Sequence, residues 1–210
     1  PFLHDGKFIF TRQIYPPEGD GRFPHKYAEA PEEMWTQLQA LDMRTGEITW
    51  TSKCGINMGV SVSPQQLSNG RDVVVAGRGG GHGPPEKPNG ISLVDLANGA
   101  TIWTLPLENF NATMSFGIYK DQVQLFHGTN HLSVDAFSGK ILKQVSLVNN
   151  VSVCRWKQSK PTHSLETLKK SKTRNITQTS NLLVGKWNYF RNYTLPLLGR
   201  VNVETNDVEY

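Results

Sequence analysis

Short runs of alternating apolar and polar residues, separated by turn-forming residues, recur along the whole chain. Four of these runs are rich in β-branched or aromatic residues and are bounded by Gly, Asn or Asp: 7–10, 72–77, 122–128 and 181–185. Such runs are typical of β-strands in antiparallel sheets. Two more runs, 59–64 and 113–119, are predicted to be the innermost strands of the second and third units. The pattern predicts an all-β chain.

Four segments of the sequence align with one another without gaps. In each, an Asp or Asn precedes a Gly or Asn by four positions, and a large residue follows four positions later. The four sets are Asp42, Gly46, Trp50; Asp95, Gly99, Trp103; Asp135, Gly139, Lys143; and Asn202, Asn206, Tyr210. The Asp side chain can accept hydrogen bonds from turn amides, while Gly or Asn supplies a positive φ. Each segment is therefore predicted to be a hairpin.

Each hairpin, together with the strands before it, gives a unit of four antiparallel strands. The distance from Asp95 to Asp135 is 40 residues, about the length of one propeller blade, roughly 40 residues. We therefore predict a β-propeller in a single domain, 1–210, with about four blades at 1–50, 59–103, 113–147 and 180–210. Insertions are predicted at 15–36, 77–90 and 153–179. A short helix is predicted from Pro31, and another at Ser164–Lys170.

The first segment, with Ala40, Asp42, Thr45, Gly46 and Trp50, resembles the tryptophan-docking repeat of the pyrroloquinoline quinone (PQQ)-like, or quinoprotein alcohol dehydrogenase-like, propellers. The resemblance implies that Trp50 and Trp103 pack between neighbouring blades. It also implies a periplasmic or secreted protein. Propellers of this family usually have seven or eight blades. Four units therefore leave three alternatives: a longer parent chain, a pair of copies, or a compact four-bladed form, of which we favour the first.

Composition excludes several classes of protein. The 210 residues carry a net charge of +4, with 37% hydrophobic and 19% charged residues, which is typical of neither a disordered tail nor a membrane protein. No apolar run approaches the roughly 18 residues that a spanning helix needs, so no transmembrane segment is predicted. The basic run from Lys157 to Arg174 has only Trp156 beside it. It is interpreted as a solvated loop rather than a nucleic-acid site.

The candidate ligand-binding residues lie in loops and on the innermost strands. Arg78 and His82 belong to the glycine-rich stretch 77–90, and loops on a rigid scaffold are where binding concentrates. Ser61 and Ser115 lie on the innermost strands, which would line a central channel. No metal site is predicted, because His127 and His131 flank a hairpin turn without a third ligand. Cys54 and Cys154 are predicted to be either inert buried thiols or one disulfide.

Two functions remain open at this point. The first is a non-catalytic scaffold that binds a protein or a small molecule and needs no cofactor. The second is a quinoprotein dehydrogenase, or part of one. For that function the resemblance implies PQQ with calcium, a catalytic Asp and commonly a disulfide between adjacent cysteines. The chain has no adjacent cysteine pair, and its recurrent Asp residues are predicted in turns. The scaffold is therefore favoured. No paired carboxylates support a third class, a lyase or hydrolase.

Overall fold

The regular elements in the described part of this protein are strands. The structure is a computed structural model, and it describes residues 1–12, 32, 35–56, 62–79, 88–110, 115–168, 181–192, 195 and 197–210. Within these ranges there are eighteen strands in four sheets. No helix in the described ranges has the length and apolarity that a bilayer crossing requires. The prediction of a helix from Pro31 and the residues His82 and Ser61 lie outside the described residues.

The sheets follow one another along the chain, and in the first three of them neighbouring strands pair antiparallel. The first sheet contains β1 (Phe2–His4), β2 (Lys7–Arg12), β3 (Gln37–Asp42) and β4 (Ile48–Thr51). The second contains β5 (Gln65–Gln66), β6 (Asp72–Arg78), β7 (Gly90–Asp95) and β8 (Thr101–Pro106). The third contains β9 (Gly117–Tyr119), β10 (Gln122–His127), β11 (Asn130–Asp135) and β12 (Ile141–Ser146).

The fourth sheet has six strands in the order β14, β13, β18, β17, β16, β15. Its strands are β13 (Val151–Lys157), β14 (Lys160–Glu166), β15 (Leu182–Val184), β16 (Trp187–Asn192), β17 (Leu197–Asn202) and β18 (Val208–Glu209). The hairpin of β13 and β14 joins this sheet through a parallel pairing of Ser152 with Glu209. The all-β class with four-stranded antiparallel blades is thus confirmed, and the fourth blade carries an added hairpin.

The prediction of a helix at Ser164–Lys170 is wrong over its described residues. Ser164, Leu165 and Glu166 belong to β14, which pairs with β13 over seven residue pairs. The hairpin turn places Gln158 and Ser159 at φ 50° and 61°. The carboxylate of Glu166 forms an ion pair with Arg155 on β13. These cross-strand partners favour an extended backbone, and the local sequence of 164–170 does not reveal them.

The innermost strand of the second sheet also differs from the prediction. We expected it at 59–64, but the described strand is β5 (Gln65–Gln66), and residues 59–61 lie outside the described part. Gln65 fixes this position because its side chain bonds to the third sheet. Its Nε2 donates to the carbonyl of Phe116 (3.2 Å), and its Oε1 accepts from the amide of Ile118 (2.5 Å).

Two hydrophobic clusters hold the sheets face to face. Because side chains alternate across a strand, each sheet presents two faces. The first sheet covers one face of the second, with Ile9, Ala40 and Trp50 against Val74 and Val94. The other face of the second sheet joins a larger cluster that continues through the third sheet to the fourth, where it includes residues of β13. Phe126 and Phe190 connect the last two sheets, with ring centroids 4.9 Å apart.

Candidate binding face

The recurrent Asp residues are engaged in the hairpin turns. The Oδ1 atom of Asp42 accepts hydrogen bonds from the amides of Arg44 (2.9 Å) and Thr45 (2.8 Å). Asp95 and Asp135 accept equivalent bonds in the next two turns. The amide of Thr45, followed by that of Arg44, lowers the pKa of Asp42 below 3.8. Of the residues that the structure describes, none form a cluster of three His, Cys, Asp or Glu suited to a metal ion.

The glycines of the second and third turns lie under tryptophans of the preceding sheets. Gly99 and Gly139 adopt φ of +73° and +71°, and each lacks the space for a side chain. A Cβ built on Gly99 would stand 2.4 Å from Cε3 of Trp50, and one on Gly139 would stand 2.8 Å from Cδ2 of Trp103. The Nε1 of Trp103 also donates to the carbonyl of Ala136 (2.8 Å).

The fourth turn keeps the turn geometry but changes the register of the last strand. In the first sheet Ala40 pairs with Trp50 and Leu41 with Ile48, so one extra residue bulges on β4. In the fourth sheet Arg200 pairs with Glu209 without a bulge. The position aligned with Trp50 is therefore occupied by Glu209, and the alignment of Tyr210 with Trp50 is wrong.

Two of the four predicted ligand residues, Arg78 and Ser115, are described. Arg78, at the end of β6, is buried: its Nε donates to the carbonyl of Pro88 (3.2 Å), and its guanidinium lies 5.2 Å from the ring centroid of Trp35. Its Nη1 also approaches Sγ of Cys54 at 3.8 Å. Ser115 is half-buried, two residues before β9. The role of both residues in binding remains a prediction.

A cavity that the sequence analysis missed lies on the outer face of the fourth sheet. Its volume is about 560 Å³. It is lined by Ser152, Cys154, His163, Tyr189, Leu198, Gly199, Arg200, Glu209 and Tyr210. Cys154 and His163 stand opposite each other on β13 and β14. Both cysteines of the chain are free thiols, with Cys54 buried and Cys154 half-buried, so the structure contains no disulfide.

An arginine and a glutamate occupy the centre of this face. Nε and Nη2 of Arg200 donate to Oε2 of Glu209 at 2.8 and 2.6 Å. The guanidinium also stacks on Trp187, 4.0 Å from the ring centroid, which is a cation–π geometry. The hydrogen bond from Arg200 to Glu209 raises the pKa of Arg200. The pair thus offers one fixed cation and one fixed anion beside the exposed Tyr189 and Leu198.

Tyr210 forms the inner wall of the cavity. Its hydroxyl donates to the carbonyl of Leu147 (2.8 Å) and accepts from Nδ2 of Asn192 (3.2 Å). Burial raises the pKa of Tyr210 to about 12, so this phenol stays protonated near neutral pH. The ring packs edge-to-face on Phe190, with centroids 5.4 Å apart. Tyr210 therefore connects the wall of the cavity to the hydrophobic core.

The same positions are covered in the preceding sheets. Tyr189 faces Arg200 across the sheet, as Val75 faces Leu93 in the second sheet. Val75 and Leu93 are at most 3% exposed, whereas Tyr189 is 38% exposed and the neighbouring Leu198 is 77% exposed. The sequence shows this face as an alternation of apolar and charged residues at Tyr189, Arg191, Leu198 and Arg200. Only the order of the sheets shows that this face is exposed.

Comparisons with known proteins identify the fold. No family model and no curated protein matches the sequence. Among solved structures, BamB from Moraxella catarrhalis is 17% identical, with a TM-score of 0.45, over 82% of this chain and 45% of that protein. Quinohemoprotein alcohol dehydrogenase from Comamonas testosteroni is 15% identical, with a TM-score of 0.51, over 84% of this chain and 32% of that enzyme. The chain spans less than half the length of either structure. The second similarity shows the fold, a PQQ-like β-propeller, and confirms the resemblance at that level.

Proposed function

We propose that this propeller chain is a binding scaffold and that the outer face of the fourth sheet, formed by Tyr189, Leu198, Arg200 and Glu209, is its binding surface. The observation that carries the proposal is the open cavity of about 560 Å³ on that face. Cavities that bind small molecules or chain segments commonly span about 300–1,000 Å³. The exposed Leu198 and Tyr189 supply apolar contact area, and a large exposed apolar surface marks an interaction site.

The chemistry of the face favours a protein segment with apolar side chains and a polar group at its centre. The apolar lining would remove leucine-like or aromatic side chains from water. The paired Arg200 and Glu209 would orient the segment, because a guanidinium held by stacking and by a carboxylate keeps further N–H donors in a fixed plane. A small molecule with an apolar body and one polar group shares this chemistry, so the experiment must distinguish the two.

Site-specific photo-crosslinking tests the proposal. A benzophenone amino acid replaces Leu198, which is 77% exposed, and a matched control carries it at Phe137, 47% exposed in the turn of the third sheet. Illumination in the producing cell should give one discrete adduct from position 198 and none from position 137. Adding Arg200→Ala should remove that adduct, since it breaks the stacked pair. Equal adducts from both positions, or none, would contradict the proposal.

A small ligand is tested through the thiol in the cavity wall. Cys154 is labelled with a bimane fluorophore while the buried Cys54 is replaced by Ala, and emission is followed as candidate apolar anions and cations are added. A saturable change that Arg200→Ala abolishes would assign the face to a small molecule. A change that Arg200→Ala leaves intact would place binding elsewhere.

The dehydrogenase alternative has its own test. Only the fold similarity supports it, and the described turn carboxylates are engaged in hydrogen bonds with their own turns. PQQ and calcium are added to the purified chain, and the visible absorbance and a dye-linked alcohol oxidation assay are recorded. Tight binding with turnover would contradict the scaffold proposal. The absence of both binding and turnover would remove the dehydrogenase alternative.

We also propose that the protein works outside the cytoplasm. The support is the resemblance of residues 40–50 to the repeat of periplasmic and secreted propellers. Fractionation of producing cells, with the protein detected in each fraction, checks the proposal. Recovery in the cytoplasmic fraction alone would contradict it.

A further inference from the structure

The strand β14 leaves one edge of the fourth sheet open. It stands at the end of the strand order, and β13 is its one partner among the described strands. Six of its seven residues are exposed. An exposed edge presents unpaired backbone N–H and C=O groups, which are a template for pairing with a further strand.

The backbone bonds of β13 show which residues of β14 face this edge. Cys154 donates its amide to the carbonyl of Tyr210 (2.7 Å), and Tyr210 donates to the carbonyl of Ser152 (2.8 Å). Cys154 and Ser152 thus direct these groups away from β14. Their opposite partners are His163 and Leu165. Because bonded and non-bonded pairs alternate in an antiparallel ladder, the N–H and C=O groups of His163 and Leu165 point to the open edge.

The two ends of β14 carry opposite charges. The strand runs from Lys160 to Glu166, so His163 is its central residue. In an antiparallel pair of two copies centred on His163, Lys160 of each copy would lie opposite Glu166 of the other. Facing opposite charges stabilise a pair of strands. Lys160 forms no ion pair with the described residues. Glu166 bonds to Arg155, and a carboxylate has further lone pairs for a second cation.

The apolar side chains of β14 match one another in the same register. Pro161 and Leu165 lie on the face of the strand opposite to the charged ends, because side chains alternate along a strand. Leu165 is 71% exposed, and Trp156, which faces Pro161 on β13, is 75% exposed. The pairing would set Leu165 of one copy beside Pro161 of the other, one strand away from Trp156. Part of this apolar surface would then be removed from water, which is favourable.

We propose that β14 is a self-association edge, along which two copies of this chain pair antiparallel about His163. The amide of His163 in each copy would donate to the carbonyl of His163 in the other. The amide of Leu165 would donate to the carbonyl of Pro161, which is an acceptor although proline has no N–H. The same edge of both copies is used, so the assembly closes as a dimer with two-fold symmetry.

A second copy is favoured over a strand of another protein as the occupant of this edge. Any strand can bond to exposed backbone groups, but an unrelated strand would also have to bring a carboxylate opposite Lys160 and a cation opposite Glu166. The second copy supplies both at the required separation, because the symmetry pairs these two positions with each other. The proposal does not depend on the ligand of the cavity, since association is measured without any ligand.

The molar mass of the purified chain tests the association. Sedimentation equilibrium should show a reversible equilibrium between monomer and dimer, without larger species. Lys160→Glu places like charges opposite each other at both ends of the interface and should weaken the dimer about tenfold or more. Lys157→Glu is the matched control. It makes the same change of charge directly opposite Lys160 on β13, away from the open edge, and should leave the dissociation constant nearly unchanged.

Disulfide cross-linking tests the register. In a background of Cys54→Ala and Cys154→Ser, His163→Cys places a thiol beside the two-fold axis. The two Cα atoms would be about 5.5 Å apart, which a disulfide can bridge. Lys160→Cys is the control, because each copy of this position lies opposite Glu166 and the two thiols would be about 20 Å apart. Mild oxidation should give a covalent dimer from position 163 and at most a trace from position 160.

Three results would overturn the proposal. The first is a chain that stays monomeric up to about 1 mM, and the second is equal weakening of the dimer by Lys160→Glu and Lys157→Glu. The third is cross-linking at position 160 that equals cross-linking at position 163. Circular dichroism of every variant is compared with that of the parent chain, so that a lost dimer is distinguished from a lost fold. Cross-linking at position 163 in the otherwise unchanged edge checks the register independently of the charge variants.

Discussion

Two glycines with the same backbone conformation make a matched test of the contact between sheets. Gly46 and Gly99 both adopt φ +73°. Trp50 packs on Gly99, whereas no described atom lies within 4 Å of a Cβ built on Gly46. Replacing each by alanine adds the same methyl group in the same conformation. The difference in unfolding free energy between the two variants therefore isolates the overlap of that methyl group with the indole.

The expected magnitude follows from the geometry. Alanine in the left-handed region costs about 1–2 kcal/mol, and the stiffer unfolded chain offsets about 0.4–1 kcal/mol of it. Both variants share these contributions, so Gly46→Ala should cost about 1 kcal/mol or less. In Gly99→Ala the new Cβ would stand 2.4 Å from Cε3 and 2.8 Å from Cδ2 of Trp50. Overpacking of this kind costs about 1–3 kcal/mol more.

Urea unfolding followed by circular dichroism measures both variants. Gly99→Ala should lower the midpoint well below that of Gly46→Ala at an unchanged slope, since an unchanged slope indicates an effect on stability alone. Adding Trp50→Ala to each variant completes the cycle, because the extra cost at Gly99 should disappear once the indole is gone. Equal midpoints for the two alanine variants, or an extra cost that survives Trp50→Ala, would refute the packing of Trp50 on Gly99.

Three further predictions concern single side chains. Burial lowers the pKa of His131 from 6.5 to about 4, so the unfolded chain binds the proton more readily. Stability should fall by about 3 kcal/mol as the pH falls from 6.5 to 4, and His131→Gln should flatten that part of an acid titration of urea midpoints. The hydroxyl of Ser138 lowers the pKa of Asp135 below 3.8, so the stabilising contribution of the Asp135 carboxylate is present above that pH and is lost below it. Asp135→Asn should therefore reduce the change of unfolding free energy with pH in that range. An unchanged pH dependence would be inconsistent with the hydrogen bonds of the turn. Trp103→Phe removes the hydrogen bond from Nε1 to the carbonyl of Ala136, whereas Nε1 of Trp50 has no partner among the described residues. In urea unfolding, Trp103→Phe should therefore lower the unfolding free energy by about 1 kcal/mol more than Trp50→Phe does. Equal losses would contradict a contribution of this hydrogen bond to stability.

Local interactions explain which parts of the fold could be predicted from the sequence. A turn between Asp42 and Gly46 depends on two hydrogen bonds from neighbouring amides and one positive φ, all set within five residues. Strand patterns are equally local, because alternation of apolar residues is a property of each strand. Repetition of the unit then indicates sheets stacked in series, and the all-β propeller follows.

The features that the sequence analysis missed depend on contacts between distant residues. The strand β14 is stabilised by Arg155 and Glu166 across a hairpin. The place of Glu209 in the fourth sheet depends on a bulge that is present in the first three hairpins and absent from the fourth. Arg78 was predicted as a loop ligand, but β6 extends through it and buries its side chain. The cavity on the fourth sheet joins residues 152–163 to residues 189–210, and only the parallel pairing of β13 with β18 brings them together.

The NMR shifts of the three turn glycines test the central claim, that one indole joins the first sheet to the second and another joins the second sheet to the third. A proton held against an aromatic ring is shifted by the ring current, and the built Cβ directions at Gly99 and Gly139 point into the rings of Trp50 and Trp103. The Hα protons of these two glycines should be strongly shifted upfield, that of Gly46 should be ordinary, and Trp50→Ala should restore Gly99 alone. Ordinary shifts at Gly99 and Gly139, or a ring-shifted Gly46 in the isolated chain, would contradict the account.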